Sequence, residues 1–264
     1  MVGRREETGI SKCQKYTGTQ KRPLSVSQNF LTSRRALERI VALSTITQSD
    51  TVLETGFGKG HLTQVLCRKS GFLYAVELDD DLFEKTSRAL SSVPNLRLIG
   101  GDFLQMSLPK ETSYQVFANI PFFITSPIVK KLTRAAHPPE EIWLVVERGA
   151  ARRLMGLPRE TMASLLLKAG WEAEIVYAFR REDFHPSPSV DTVPLHLSRK
   201  AAPDVVPAYL PRFERFVERS LSCGFGGKRG LLTSKQVSTA LRLAHLPPLS
   251  RDGNTLYVQR LCLF

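Results

Sequence analysis

From Thr51 to Arg148 short apolar runs alternate with segments of helical period, and that alternation restricts the chain to very few architectures. "TVLETG", "FLYAVEL", "LRLIGG", "YQVFANI" and "EEIWLVVER" read as strands. "HLTQVLCRK", "DDLFEKTSRAL" and "SPIVKKLTRAA" read as helices, the first with Leu62, Val65 and Leu66 on one face. Strands joined through helices make right-handed crossovers, which predicts a mainly parallel, doubly wound sheet. Ahead of it, Ser33 is placed to cap a helix that buries Leu37, Ile40 and Val41. Further on, "EAEIVYAFRR" and "VDTVPLHLSR" have no helix-length connection, so they are expected to form an antiparallel pair at one edge of the sheet. From about Lys200 the pattern turns helical, in "VVPAYLPRFERFVERSL" and "SKQVSTALRLA". Three segments result: a basic tail over 1–25, an α/β domain over 26–199, and a small helical domain over 200–264.

Charge follows the same division. The 264 residues carry a net +12, but the middle segment has 21 basic against 19 acidic residues. Residues 1–25 hold six Lys/Arg against two Glu, and residues 200–264 hold ten against four acids. A near-neutral centre between two basic ends points to a polyanion such as nucleic acid. Lys21, Arg22, Lys228 and Arg229 are candidate phosphate contacts; the last two sit among glycines and equally suit a turn between helices. Cys13, Cys67, Cys223 and Cys262 are far apart, which reads as reduced intracellular thiols and supports neither a disulfide frame nor a metal site. No apolar run approaches the ~18–20 residues that a membrane span requires. The first residues lack the apolar core of a signal peptide, so a cytoplasmic protein is expected. No G-x-S-x-G elbow occurs.

In an open parallel sheet ligands bind beyond the carboxyl ends of the strands, so those ends carry the functional reading. The first ends in "LETGFGKG", with Glu54 before Gly56, Gly58 and Gly60; glycines there let backbone approach a ligand closely. The spacing departs from the dinucleotide fingerprint G-x-G-x-x-G. The second ends in Glu77, whose carboxylate can accept both hydroxyls of a ribose. Asp79, Asp80 and Asp81 follow as acids of a helix N-terminus. The third ends in Asp102 and Phe103, an acid and an aromatic that suit an adenine ring; for an isolated acid an Asx turn or helix cap is the better explanation. The fourth ends in Asn119, Ile120, Pro121 and Phe122.

In this order, "SQNFL", "LETGFGKGHLT", "AVELD", "GDFL", "ANIPF" and "FHPSPSVDT" resemble the rRNA adenine-N6 methyltransferases, over about Ser27 to Ser198. That family includes small-subunit rRNA dimethylases and the Erm-type enzymes of macrolide, lincosamide and streptogramin B resistance. The resemblance implies a Rossmann-like S-adenosylmethionine-dependent methyltransferase sheet with a small C-terminal α-helical domain. It also implies roles. Asn29 and Leu31 cover the methionine end of the cofactor, Gly56 and Gly58 bring backbone to it, Glu77 holds the ribose, Asp102 and Phe103 take the adenine, and Asn119 stands between cofactor and substrate. Isoleucine second in "NIPF", like "SQNFLTS", is similar to the Erm branch and implies 23S rRNA, modified by a monomer before full ribosome assembly. The C-terminal "GFGGKRGLL" departs from the arginine-rich segment of the small-subunit enzymes.

Such a site has a definite task. The exocyclic amine of adenine is a poor nucleophile because its lone pair is delocalised. Acceptors at Asn119 and Ile120 favour a pyramidal amine, Pro121 stiffens the turn, and Phe122 offers a face to a base taken out of its stack. Phe184 is a candidate for the opposite face, or else an anchor of the hairpin on the core. Three alternatives stand beside the 23S reading: a small-subunit rRNA dimethylase, a DNA adenine methyltransferase, and a non-catalytic nucleic-acid-binding factor on the same fold.

Overall fold

The computed structural model describes residues 29–110, 113–225, 230–250 and 255–264. Its central sheet has seven strands: β2 (Thr51–Thr55), β3 (Phe72–Glu77), β4 (Leu96–Gly100), β5 (Tyr114–Asn119), β6 (Glu141–Glu147), β7 (Trp171–Ile175) and β9 (Thr192–Arg199). They stand in the order β4-β3-β2-β5-β6-β9-β7. The pairs from β4 through β6 are parallel, and β9 runs antiparallel to β6. The expected edge pair is present: Val176 donates to the Pro194 carbonyl and Phe179 to that of Thr192, a register running in opposite directions. This part also holds β1 (Phe30–Leu31), α1 (Arg34–Leu43), α2 (His61–Lys69), α3 (Asp80–Ala89) and α4 (Thr125–Thr133).

Each crossover follows from local chemistry. Ser33 caps α1, its Oγ accepting from Ala36 N–H at 3.3 Å, and Leu37, Ile40 and Val41 are buried on the inner face. Asp79 caps α3 through Leu82 N–H at 3.0 Å, with Asp80 and Asp81 in the first turn where the helix dipole favours acids. Val52, Leu53, Leu73, Ala75, Val116, Phe117, Ile142 and Leu144 are fully buried, as both faces of a parallel sheet require. One small element escaped the sequence: β1 pairs antiparallel with β8 (Phe184–His185), Leu31 opposite Phe184. Two-residue strands have no period to read.

The described residues fall into two compact units. One takes residues from Met1–Ala150 and Glu174–Ser198, the other Ala151–Ala173 and Arg199–Phe264. The second unit is helical, with α5 (Arg148–Leu154) entering it, then α6 (Met162–Lys168), α7 (Leu210–Cys223), α8 (Ser234–Leu243) and α9 (Tyr257–Leu263). It therefore holds more than the 200–264 segment expected from sequence. Leu165 and Ala169 are buried in one cluster with Phe213 and Val217 of α7, which draws α6 out of the α/β segment to which the sequence pattern had assigned it. Near the chain end Arg260 is buried, donating to the Ser220 hydroxyl with its guanidinium 5.2 Å from the centre of the Phe225 ring.

Phe117 tests the core of the sheet. Its ring is fully buried and stacks on Trp143 at 5.7 Å between centroids. Phe117→Ala is expected to cost about 3–5 kcal/mol of stability, seen in urea titrations as a lower midpoint with an unchanged slope.

Candidate active site

The sheet order turns at β2. The chain goes from β2 outward to β3 and β4, then returns to the other side of β2 as β5. The carboxyl ends of β2 and β5 therefore border the crevice where ligands bind in such sheets. Register keeps those ends level: Thr55 lies opposite Val76 and Ala118, Glu77 opposite Gly100, and Asn119 opposite Val145. A cleft open to solvent occupies this place.

Gly56, Gly58 and Gly60 have φ of 72°, 53° and 77°, so the loop after β2 uses left-handed backbone at three alternate positions. A Cβ on Gly58 would lie 2.7 Å from the Phe30 ring. Glu77 anchors the loop. One carboxylate oxygen accepts from Gly58 N–H at 2.8 Å, the other from Leu78 and Asp79 N–H at 2.9 Å each. These bonds take three of the about four acceptor positions of a carboxylate. About one is left for a ribose hydroxyl, where the sequence reading allowed two. Burial, only partly offset by these bonds and reinforced by Asp79, raises the Glu77 pKa above the usual range.

Glu54 lies on β2, 1% exposed, and lines the same cleft, its Oε2 without a hydrogen-bond partner among the described residues. Desolvation lifts its pKa to about 8, helped by the nearby charge of Glu77 and opposed by the Thr63 hydroxyl. Within the structure Thr63 Oγ1 also lacks a bonded partner, so desolvation is the cause that decides the direction.

Asp102 makes the Asx turn that the sequence left open: its Oδ1 accepts from Leu104 N–H at 2.8 Å, and the second oxygen remains for another donor. Asp102 and the buried Phe103 both line the cleft.

The amide of Asn119 reaches across ninety residues and donates to the Asn29 carbonyl at 3.0 Å. A carbonyl only accepts, so the atom facing it is Nδ2 and Oδ1 is left to accept. Pro121 has φ −56°, and Phe122–Ile124 form a 3-10 turn closed by Ile124 N–H to the Pro121 carbonyl at 3.1 Å. Thr125 Oγ1 caps it through the Phe122 carbonyl at 2.9 Å. Phe122 is half-buried on the wall of the cleft.

Asn29, Leu31, Gly56, Gly58, Glu77, Asp102, Phe103, Asn119, Ile120, Pro121 and Phe122 thus meet in one place, although the chain distributes them over ninety-four residues. Phe184 does not join them. It is 3% exposed, packed edge-on against Phe179 at 5.4 Å, and belongs to the core cluster with Leu31 and Phe57. This corrects its placement as a base-stacking face: the ring is spent on the core, and its backbone pairs with β1. Lys21, Arg22, Lys228 and Arg229 lie outside the described residues. Glu54 and Phe30 were not singled out as site residues, although an acid closing an apolar strand was a legible signal for the first.

The strand order and crevice, with buried acids at successive strand ends, define the class of S-adenosylmethionine-dependent methyltransferases. The chain matches the family described as ribosomal RNA adenine dimethylase over residues 19–237. It is 33% identical over 241 residues to an rRNA adenine N-6-methyltransferase from Escherichia coli, covering 91% of this chain and 94% of that protein. It is 35% identical to a ribosomal RNA small subunit methyltransferase A from Nostoc punctiforme, with 85% and 86% covered. Among solved structures, the 23S rRNA methyltransferase ErmE superposes with a TM-score of 0.77 at 29% identity, covering 89% of this chain and 98% of that one. The protein belongs to the rRNA adenine N6-methyltransferase family, and its methyl donor is S-adenosylmethionine.

The residues present fit that donor. Glu54, with a buried carboxyl oxygen that has no hydrogen-bond partner among the described residues, lines the cleft, and at Gly56 the left-handed backbone with no Cβ leaves the main chain at the cleft wall.

Glu54 also sets a pH dependence. Its folded pKa, about 8, exceeds the unfolded value near 4.3, so the folded state holds the extra proton between them. Stability of the free enzyme is expected to fall as pH rises from about 5 to 8. Glu54→Gln should flatten that decline in thermal unfolding scans.

Proposed function

We propose that the enzyme methylates N6 of one adenine in 23S large-subunit rRNA, and so confers resistance to macrolides, lincosamides and streptogramin B. The observation that carries the reading is the Asn119–Phe122 turn, with isoleucine second as in the Erm branch, set at the switch point of a chain that superposes on a 23S rRNA methyltransferase over 89% of its length. A small-subunit target is the second reading, favoured by the Nostoc relative.

When bound, the cofactor supplies a methyl group on a sulfonium that leaves as a neutral thioether. Glu77 holds its ribose, Asp102 and Phe103 receive its adenine, and Asn29 and Leu31 cover its methionine end. Glu54, neutral in the free enzyme, offers an oxygen to that end. The target base is flipped from its stack and rests on Phe122, worth ~1–3 kcal/mol. Asn119 Oδ1 and the Ile120 carbonyl accept from the two hydrogens of the amine and free its lone pair for the methyl carbon. The Asn29 carbonyl keeps Asn119 in the productive orientation by engaging the opposite end of the amide. No general base acts before transfer, since the methylated amine is strongly acidic and gives its proton to water. The basic ends, net +4 over 1–25 and +6 over 200–264, supply cations for RNA phosphate, with the helical segment as the RNA-binding domain. The enzyme acts in the cytoplasm as a monomer on rRNA not yet fully assembled.

Expression in a sensitive bacterium is expected to raise resistance to macrolides and lincosamides, with the methyl group mapping to 23S rRNA. A methyl group on small-subunit rRNA and unchanged drug sensitivity would establish the second reading instead. In single turnovers at saturating RNA, Asn119→Ala should slow transfer roughly 10²–10³-fold while S-adenosylhomocysteine still binds.

A further inference from the structure

Lys131 does not line the cleft, yet it braces one of its walls. It projects from α4 toward the β4–β5 connection, where its ammonium donates to the Leu104 carbonyl at 3.1 Å and the Met106 carbonyl at 2.6 Å. The same ammonium lies 5.6 Å from the centre of the Phe103 ring. That connection is a tight turn in its own right: Gln105 and Met106 N–H donate to the Asp102 carbonyl at 3.0 and 3.2 Å, and Leu104 N–H to the Asp102 side chain. Internal bonds therefore fix Asp102 to its turn, and Lys131 fixes the turn to α4.

The other end of α4 carries the substrate side. Thr125, its first residue, caps the turn bearing Phe122. Lys131 lies six residues on, about 9 Å along the helix axis. One rigid helix thus supports the base-receiving turn at its start and the Asp102 turn two turns later. An ammonium suits this task because its three donors can serve two carbonyls and keep charge toward an aromatic face and a carboxylate. Partial burial lowers the Lys131 pKa, an effect that the nearby Asp102 charge opposes without reversing.

We propose that Lys131 is a positioning residue that sets the Asp102 carboxylate and the Phe103 ring for the adenine of the bound methyl donor, an inference that rests on assigning this wall to the cofactor base. Lys131 is not in the lining of the cleft and acts through the turn. Its loss should relax base selectivity, which a general loss of stability would not do.

The test titrates the full-length chain in a calorimeter with S-adenosylhomocysteine and with S-inosylhomocysteine, whose base lacks the exocyclic amine. The unsubstituted enzyme is expected to prefer adenine. Lys131→Met should weaken S-adenosylhomocysteine about tenfold, the effect of one lost hydrogen bond, and bring the preference close to unity. KM for RNA should stay unchanged, and Lys131→Arg should restore most of the preference. Equal weakening of both ligands, or an intact preference in Lys131→Met, overturns the proposal. If Lys131→Met does not fold, Lys131→Gln is read by the same criterion. Absence of any preference in the unsubstituted enzyme overturns instead the assignment of the wall to the cofactor base.

Discussion

The three hydrogen bonds to Glu77 hold the site together. A carboxylate at the end of β3 gathers the N–H groups of Gly58, Leu78 and Asp79, and so ties the loop after β2 to the start of α3. Bonds to a charged acceptor contribute about 1.5–3 kcal/mol each, yet burial still raises the pKa of the group, so desolvation is the larger effect. That balance is functional. Glu77 keeps its backbone partners in place and retains about one acceptor position for a ligand. The loop it steadies also uses Thr86, whose hydroxyl donates to the Gly58 carbonyl at 2.8 Å, so α3 holds the glycine turn from a second side.

A second constraint runs across the sheet. Asn29 and Phe30 form a strap over the cleft, with the Asn29 carbonyl on Asn119, the Phe30 ring against Gly58, and Lys59 4.9 Å above that ring. The strap is itself held by its pairing with β8 and by Thr32 and Ser33 N–H on the Asp183 carbonyl. Covering the methionine end and orienting the catalytic amide are, on the proposed reading, one mechanical task. Phe184 pairs with Leu31, the residue that follows the strap, and shares its core cluster, so the aromatic in "FHPSPSVD" is buried.

Charge is handled with the same economy. Glu54 and Glu77 are buried near one another at the same end of the sheet, and both have raised pKa values. For both acids burial is the largest cause of the shift, and the Glu77 carboxylate is the one held by backbone N–H groups. Positive charge that favours RNA stays toward the two ends of the chain, away from the near-neutral middle segment.

Much of this was legible in the sequence. The period of the apolar residues sets strands and helices, so the parallel sheet, the Ser33 cap, the edge pair and the strand-end acids could be read directly. The strand-end residues were also nameable, because a parallel sheet puts every carboxyl end on one side whatever the packing. What depended on distant contacts was not legible. The two-residue β1–β8 pair has no period, α6 joins the helical unit through Phe213 and Val217, and Phe184 is claimed by Phe179 and the core. The Asn119–Asn29 bond, the count of donors on Glu77 and the brace from Lys131 to Leu104 and Met106 likewise belong to the tertiary structure. Residue types and spacing determined which chemistry the chain could perform. Only folding decided which lone pairs remain free to perform it, because hydrogen bonds between residues far apart in sequence consume acceptors that the sequence alone counts as available.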